Sequence, residues 1–270
     1  MYATTGPASA QGPGAEVRRV WAGVYLHDVT SFSQKNGVFD VDADVWVKWR
    51  GDGFDPDLVH VANAVRIDRV PLGRDSDGSW HTARWRVRGT LRGEFPLASF
   101  PFDDQTLAVV LELPEQHGVL AADLAASGMA ERFSITDWLY EPEFHPVSTT
   151  VTFPLRPRAD RSRGRSAQIS RVSFQVTISR PARPVGLKLF LPLGIVATIV
   201  LLSLFVHPDH TQPRLTMSVT GLVACFAFQF SVSNLLPEVA YLTLADVVFM
   251  AVYFVSVTCV MATVISRSTW

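Results

Sequence analysis

Cysteine is scarce in this sequence. Its 270 residues contain only Cys225 and Cys259, and both fall inside long apolar runs, where a free cysteine behaves as a small buried hydrophobe. The part of the chain before Cys225 therefore has no disulfide framework and no zinc site of the CxxC kind.

The sequence also lacks a charge excess and the short motifs of common enzymes. Its formal net charge is −1, which gives no basis for binding a polyanion such as nucleic acid. It contains no GxSxG, HExxH, P-loop or dinucleotide-binding motif, so we expect neither an enzyme nor a cofactor. His207 and His210 have a spacing that metal sites use, but they lie in a proline-containing loop with Asp209 and we expect no metal there.

The amino-terminal segment has no features of a signal peptide. Residues 1–16 lack a basic region and an apolar region, and are rich in Ala, Gly, Pro and Ser. We predict a disordered tail over 1–16. Export of the following domain would then rely on an upstream start or on the first membrane helix.

What the sequence does have is hydrophobic length at its carboxyl-terminal end. Hydrophobic residues make up 48% of the chain, and the excess is concentrated after residue 184. Three apolar runs there have the length of about 20 residues that a helix needs to cross a bilayer. The predicted helices cover about 187–206, 215–236 and 244–265. We therefore divide the chain into a soluble domain at 17–183 and a transmembrane domain at 184–270.

The soluble domain alternates apolar and polar residues, as half-buried strands do. Asn36-Gly37 between two such runs predicts a hairpin with a type I′ turn. Strands are predicted at Val20–Leu26, Val38–Trp49, His81–Arg88, Thr106–Leu113, Val147–Leu155 and Ser170–Arg180. One helix is predicted at about Leu120–Arg132. The basic connector Arg156–Arg165 is either a solvated loop or an anion-facing hairpin tip. Strands without long helices predict an antiparallel sandwich or barrel.

The second apolar run carries a stripe at helical spacing, with two hydroxyl groups followed by three apolar groups. Its members are Thr216, Thr220, Val223, Ala227 and Phe230. Several copies around an axis would make this stripe a pore lining, with a constriction at its apolar part. Small and hydroxyl residues also let helices pack closely, so the stripe alone leaves both interpretations open.

Four motifs in order resemble the pentameric ligand-gated ion channel superfamily, also called Cys-loop receptors, and especially its prokaryotic members. Phe100–Leu107 (FPFDDQTL) is similar to the family's FPFDxQ signature. Ile178-Ser179-Arg180, twelve residues ahead of Pro192, is similar to the end of the last extracellular strand. Leu236–Leu242 resembles the linker between the second and third helices, and Asp246 the acidic residue near the start of the third helix. The resemblance covers about residues 20–265.

The resemblance implies an all-β antiparallel, immunoglobulin-like sandwich outside the cytoplasm, followed by an α-helical transmembrane bundle of three helices. It implies a multi-pass protein of the cell membrane with a periplasmic or extracellular amino-terminal domain. It further implies a homopentamer in the lipid bilayer, opened by an unidentified small-molecule or ion agonist. Inorganic ions would pass a pore formed by five second helices. The alternative is a non-conducting membrane sensor or ligand-binding protein with the same fold.

Five residues acquire roles from the resemblance. Asp103 and Arg180 are assigned to the junction between the two domains, where a carboxylate and a guanidinium form a strong pair. The pair would transmit motion, or would simply stabilise the fold. Pro237 and Tyr241 are assigned to the linker on which the sandwich acts. Pro192 either loosens the first helix or only kinks it.

The sequence departs from the family in several places. No cysteines flank the signature, and the chain ends at Trp270 without a fourth apolar run. The first hairpin reads Ser33–Gly37 (SQKNG) where proton-activated relatives carry acidic residues, and Cys225 stands where such relatives can carry histidine. Proton gating is therefore not expected, although His27 and Asp28 remain possible titrating groups.

Ligand recognition and ion selectivity are the least determined properties. About fifty residues separate Trp49 from Phe100, fewer than the family has, so part of an agonist pocket is expected to be missing. The remaining candidates for ligand binding are Trp138, Tyr140 and Arg165, although such aromatic residues are often core residues. The candidate selectivity mouth is Gln212, Pro213 and Arg214. Proline next to arginine in this set slightly favours selectivity for anions. A ring of Asp209 side chains, one turn away, would oppose that preference.

Overall fold

The computed structural model describes residues 18–141, 145–154, 166–207 and 209–268. Within them the chain forms a β-rich domain followed by three helices. The strands are β1 Arg19–Ser33, β2 Val38–Arg50, β3 His60–Val61, β4 Ala64–Asp77, β5 Trp80–Arg92, β6 Asp104–Pro114, β7 Val119–Ala122, β8 Gly128–Met129, β9 Leu139–Tyr140, β10 His145–Pro154 and β11 Ser166–Ser179. The helices are α1 Ala182–Leu202, α2 Thr211–Ser233 and α3 Leu244–Ser268. The predicted tail at 1–16 and the whole Arg156–Arg165 connector lie outside the described residues.

Two sheets form the β-rich domain. One has the order β4-β5-β2-β1-β7, with β8 also paired to β1, and the other has the order β10-β11-β6-β3, with β9 paired to β11. Buried apolar side chains from both sheets form one core. Strand β2 illustrates why: Phe39, Val41 and Val45 are buried, whereas the intervening aspartates lie on the outer face. The predicted sandwich is confirmed.

Most strand pairs are antiparallel, but β7 and β8 pair with β1 in parallel. These two strands occupy the segment Leu120–Arg132, so the helix predicted there is wrong. Backbone hydrogen bonds to β1 replace the helical ones: Asp123 N donates to Ala22 O at 2.7 Å, and Ala130 N donates to Leu26 O at 2.9 Å. Long-range pairing has overridden a local sequence of good helix formers.

The β1–β2 hairpin is present at the predicted place with a different turn. Gly37 has φ of 65°, and its N–H donates to Gln34 O at 3.2 Å. Asn36 does not have positive φ, since Asp137 is the non-glycine residue with positive φ in the part of the chain that the structure describes. The predicted type I′ turn is therefore wrong, because only one of its two positions adopts the left-handed conformation.

The three helices are long and apolar enough to cross a membrane. Helix α1 begins five residues before the predicted boundary and runs continuously through Pro192. Helix α2 begins four residues early, at Thr211, with Pro213 in its first turn, where a missing N–H costs nothing. A second apolar core joins the helices to the loop that precedes β6, because Leu97 and Phe100 pack with residues of α1, α2 and α3.

Candidate functional site

One face of α2 packs against the rest of the chain. Its buried residues recur at spacings of four, three and four: Arg214, Ser218, Gly221 and Cys225. Ser218 Oγ lies 2.9 Å from Ser203 Oγ at the end of α1. Gly221 faces Val200 of α1 so closely that a Cβ would collide with the valine side chain. Small residues such as Ser218 and Gly221 allow helices to pack closely.

The predicted stripe lies on the other face of α2. At about 100° per residue, the stripe is centred roughly half a turn from the buried face. Its five residues are all exposed in the single chain: Thr216, Thr220, Val223, Ala227 and Phe230. The exposed fraction reaches 60% for Val223 and 71% for Phe230. Helices α1 and α3 therefore leave this whole face uncovered.

The structure separates the three residues of the candidate selectivity mouth. Gln212 and Pro213 are exposed, and Gln212 precedes Thr216 by one helical turn, so it continues the stripe. Arg214 is 7% exposed and lies on the packed face, where its Nε donates to Ser203 O at 3.2 Å. The anion bias inferred from the sequence rested on this guanidinium, and the structure does not bring it to the face of the stripe.

Asp103 and Arg180 form the expected pair where the β-rich domain meets the helices. Arg180 Nε donates to Asp103 Oδ1 at 2.7 Å, and the Asp103 side chain is 2% exposed. The guanidinium also lies over the Trp138 ring, 4.4 Å from its centroid. The carboxylate accepts a further hydrogen bond at Oδ2 from Gln105, at 2.6 Å. The cation and the anion are thus both enclosed, which strengthens their interaction.

Gln34 joins this pair from the β1–β2 turn, a role that the sequence analysis missed. Its Nε2 donates to Asp103 Oδ2 at 2.8 Å, and its Oε1 accepts a short hydrogen bond from Arg180 Nη2. One amide thus satisfies both members of the ion pair. The sequence offered one signal of this role, because the turn carries Gln34 and no acidic residue where proton-activated relatives carry acidic residues.

The loop between β5 and β6 is bonded to the linker that follows α2. Tyr241 Oη accepts from Leu97 N at 2.8 Å. Leu244 N donates to Ala98 O at 3.0 Å, and Ala245 N donates to Phe100 O at 3.1 Å. The signature loop and the α2–α3 linker are therefore one hydrogen-bonded unit.

A second direct contact ends at the last turn of α2. Lys35 Nζ, on the β1–β2 turn, donates to the carbonyl of Asn234 at 3.0 Å. A cation is favoured there because the last carbonyls of a helix have no internal partners and carry partial negative charge. Pro237 is half-buried in the linker beyond. Lys35 was also missed, because nothing in a sequence indicates a partner 199 residues away.

The three candidate ligand-binding residues do not come together. Trp138 packs edge-on against Phe32, with ring centroids 5.2 Å apart, and lies beneath Arg180. Tyr140 packs edge-on against Phe133 at 4.9 Å. Both aromatic residues border the core of the sandwich, and Arg165 lies outside the described residues. The geometry favours the interpretation of Trp138 and Tyr140 as packing residues.

The His207 region offers no cluster of metal ligands. His207 Nδ1 lies 3.2 Å from Asp209 Oδ2, and both side chains are exposed. Among residues 18–141, 145–154, 166–207 and 209–268, no group of three histidine, cysteine, aspartate or glutamate side chains is arranged to hold a metal ion.

Comparison with known proteins identifies a relative. No family model matches the chain. Over 258 residues, however, it is 26% identical to a proton-gated ion channel of Gloeobacter violaceus, in a match that covers 86% of this chain and 68% of the relative. The chain is a homologue of this channel. The family resemblance seen in the four motifs is confirmed.

This relationship fixes the cellular context of the channel homologue. The three apolar helices and the channel relative make it a multi-pass membrane protein with an extracellular amino-terminal domain. The β-rich domain and the signature loop consequently lie outside the cell. The amino-terminal end of α2, with Gln212, then lies near the cytoplasm.

Proposed function

We propose that the chain is one subunit of a homopentameric, ligand-gated ion channel whose pore is lined by α2. The observation that carries the proposal is the orientation of this helix. Every stripe residue from Thr216 to Phe230 faces away from α1 and α3. Hydroxyl groups are costly against lipid, so this face suits a water-filled axis surrounded by further copies. Closed rotational symmetry is the usual arrangement for such copies.

The apolar half of the stripe is the proposed gate. Rings of Val223, Ala227 and Phe230 at the extracellular half would form a constriction that closes by dewetting. Rings of Thr216 and Thr220, nearer the cytoplasm, would hydrate the permeant ion. Gln212 extends the lining by one turn and is neutral. With Arg214 turned inwards, no charge of the first turn of α2 commits the pore to anions or to cations.

The junction supplies a route from the extracellular domain to the gate. Gln34 and Lys35 belong to one turn, and they contact the Asp103–Arg180 pair and the end of α2 respectively. Tyr241 ties the linker to the signature loop. A ligand that moves the sandwich would thus displace the extracellular end of α2, next to Phe230. The known relative is proton-gated, so acid is the first agonist to apply. A small-molecule agonist is the alternative.

The test does not need a known agonist. Purified protein is reconstituted in liposomes, and ion flux is measured with Phe230→Ala and Val223→Ser. We expect both variants to raise the flux without agonist, because a smaller or more polar ring wets the constriction. Phe254→Ala and Val257→Ser on α3 are matched controls, since these side chains are 75% and 50% exposed on a different helix. Unchanged flux in the α2 variants, or an equal rise in the α3 variants, would contradict the proposal.

A further inference from the structure

A small cavity lies inside the sandwich, at the edge where β4 of one sheet approaches β3 of the other. Its volume is about 200 Å³, and its wall is almost entirely apolar. Side chains from both sheets line it, among them Val45, Val61, Ile67, Trp85, Val87 and Leu111. The cavity is separate from the domain junction, the stripe on α2 and the residues considered above for ligand binding.

The cavity is larger than the voids that ordinary packing leaves. Protein interiors are packed like organic crystals, and voids larger than a water molecule are few. An apolar cavity of about 150 Å³ stays dry and accepts benzene. A volume of about 200 Å³ therefore accommodates one aromatic ring with a small substituent. The wall favours an apolar ligand over water, because it offers few groups that could hydrogen-bond to water.

The guanidinium of Arg69 forms part of the cavity wall. Arg69 is 28% exposed, and its guanidinium carbon lies 3.7 Å from the Trp85 ring centroid. Nη1 donates to Val59 O at 3.0 Å, and Nη2 contacts Pro56 O at 3.5 Å. Burial lowers the pKa of Arg69, an effect that the nearby carboxylate of Asp57 opposes.

Among the described residues, the ion pair of Arg69 is with one carboxylate, and it is long. Asp57 Oδ1 is 3.6 Å from Arg69 Nη2, whereas Asp57 Oδ2 accepts from Arg74 at 3.0 Å. Two guanidinium groups thus share this one carboxylate. Five N–H groups project from an arginine in a planar fork that suits a carboxylate, so Arg69 retains the capacity to bind one more anion.

The backbone of β4 is irregular on both sides of this residue. The register with β5 shifts between Ala64 and Arg66, and again between Pro71 and Gly73. Irregularities of this kind re-aim side chains and are frequent beside functional sites. The two register shifts flank the segment that contains Ile67 and Arg69, and both residues line the cavity.

We propose that this cavity binds a small apolar monocarboxylate, with the ring or short chain among the valines and the carboxylate on Arg69. A carboxylate next to His60, which also lines the cavity, favours a ligand with a single negative charge. His60 Nε2 lies 3.6 Å from Glu112 Oε2, and Glu112 is buried against Arg171. A second carboxylate on the ligand would approach Glu112 and be repelled. Binding here requires neither a pore nor a pentamer, so the proposal stands apart from the channel function.

The probe is 4-fluorobenzoate, followed by fluorine NMR on the full chain in lipid nanodiscs, with empty nanodiscs as the partition control. We expect Arg69→Gln to weaken binding about 10- to 100-fold, as loss of a hydrogen bond between charged groups does. Val61→Phe, which fills the cavity, should abolish binding. Arg66→Gln is the matched control, because Arg66 is exposed on the same strand, and it should leave the affinity unchanged.

Three results would overturn the proposal. One is binding of 4-fluorobenzoate that Val61→Phe does not alter. The second is equal affinity of the wild-type chain for fluorobenzene and 4-fluorobenzoate, which would remove the role of Arg69. The third is no binding of 4-fluorobenzoate by the wild type; an altered oligomer in Val61→Phe would then mean that a side chain of a neighbouring copy fills the cavity.

Discussion

Arg180 and Asp103 meet at 2.7 Å between the last extracellular strand and the signature loop, and Gln34 bonds to both. Both side chains are largely buried, so removing either charge leaves the other buried charge without its partner. Asp103→Asn leaves the Arg180 charge without its anion, and we expect a loss of about 3 kcal/mol in the free energy of unfolding. Thermal unfolding followed by circular dichroism measures it.

The double variant Asp103→Asn/Arg180→Gln separates the pair from its parts. Removing both charges leaves none unpaired, so the double variant should be more stable than the sum of the single losses predicts. The exposed pair Asp57–Arg74 is the control, and Asp57→Asn should cost less than about 1 kcal/mol. Additive losses at Asp103 and Arg180 would refute direct coupling.

Lys35 is expected to influence the gate through the end of α2. Lys35→Ala removes a cation from the terminal carbonyl of the helix, an interaction of about 0.3–1 kcal/mol. The concentration of agonist for half-maximal flux should therefore shift by about two- to fivefold, whereas Lys35→Arg should behave as the wild type. A shift of equal size in Lys35→Arg would argue against the charge.

Tyr241 binds the linker to the loop before β6 through its hydroxyl group. Tyr241→Phe keeps the ring and deprives Leu97 N of its acceptor, which costs about 0.5–1.5 kcal/mol. The agonist response should shift in parallel with this loss of stability. Tyr25→Phe, on the outer face of the sandwich, is the control for removing a phenol, and an identical shift there would discount the junction.

Substitution of Gly221 tests the orientation of α2. A methyl group at this position would collide with Val200, so Gly221→Ala should destabilise the helical bundle by about 1–3 kcal/mol. Gly194 in α1 has open space around it, and Gly194→Ala should be tolerated. If Gly221→Ala were neutral, the packed face of α2 would be misassigned, and the stripe with it.

The charges on the outer face of β2 predict an acid-sensitive contribution to stability. Burial raises the pKa of Asp42, but hydrogen bonds and the charges of Arg86 and Arg88 outweigh it and hold the pKa below 3.8. This stability is fully present above pH 3.8 and is lost as the pH falls through the lowered pKa. Asp42→Asn should therefore cost about 1 kcal/mol at neutral pH, and the difference from wild type should vanish in strong acid. A difference that is independent of pH would contradict this reading.

The parts of the fold that the sequence predicted correctly are those whose signals are local. Strand β2 alternates strictly, and the three apolar runs have the length of membrane helices. The motif at Phe100–Leu107 identified the junction because the family resemblance supplied the partner of Asp103. The first two inferences needed only a short window of sequence, whereas the pairing of Asp103 with Arg180, 77 residues away, came from the resemblance.

The errors have long-range causes. Leu120–Arg132 reads as a helix, but the edge of β1 captures it as two short strands. Strand β4 was missed because most of its residues are exposed on both faces, so it shows no alternation. Arg214 was expected at the mouth of the pore from its place just before the second apolar run, and its contact with Ser203 O at the end of α1 forms only in the folded chain. Residues such as Gln34 and Lys35 acquire their partners only when the two domains meet.

Cysteine accessibility tests the central claim, that the stripe on α2 lines an aqueous pore. Thr220→Cys and, as the lipid-facing control, Val257→Cys are placed in a chain whose buried Cys225 and Cys259 are replaced by alanine. Current is recorded in planar bilayers while a membrane-impermeant cationic thiol reagent is applied. We predict that the reagent changes the current through Thr220→Cys and leaves Val257→Cys unaffected. A reagent effect at Val257→Cys with none at Thr220→Cys would contradict the account.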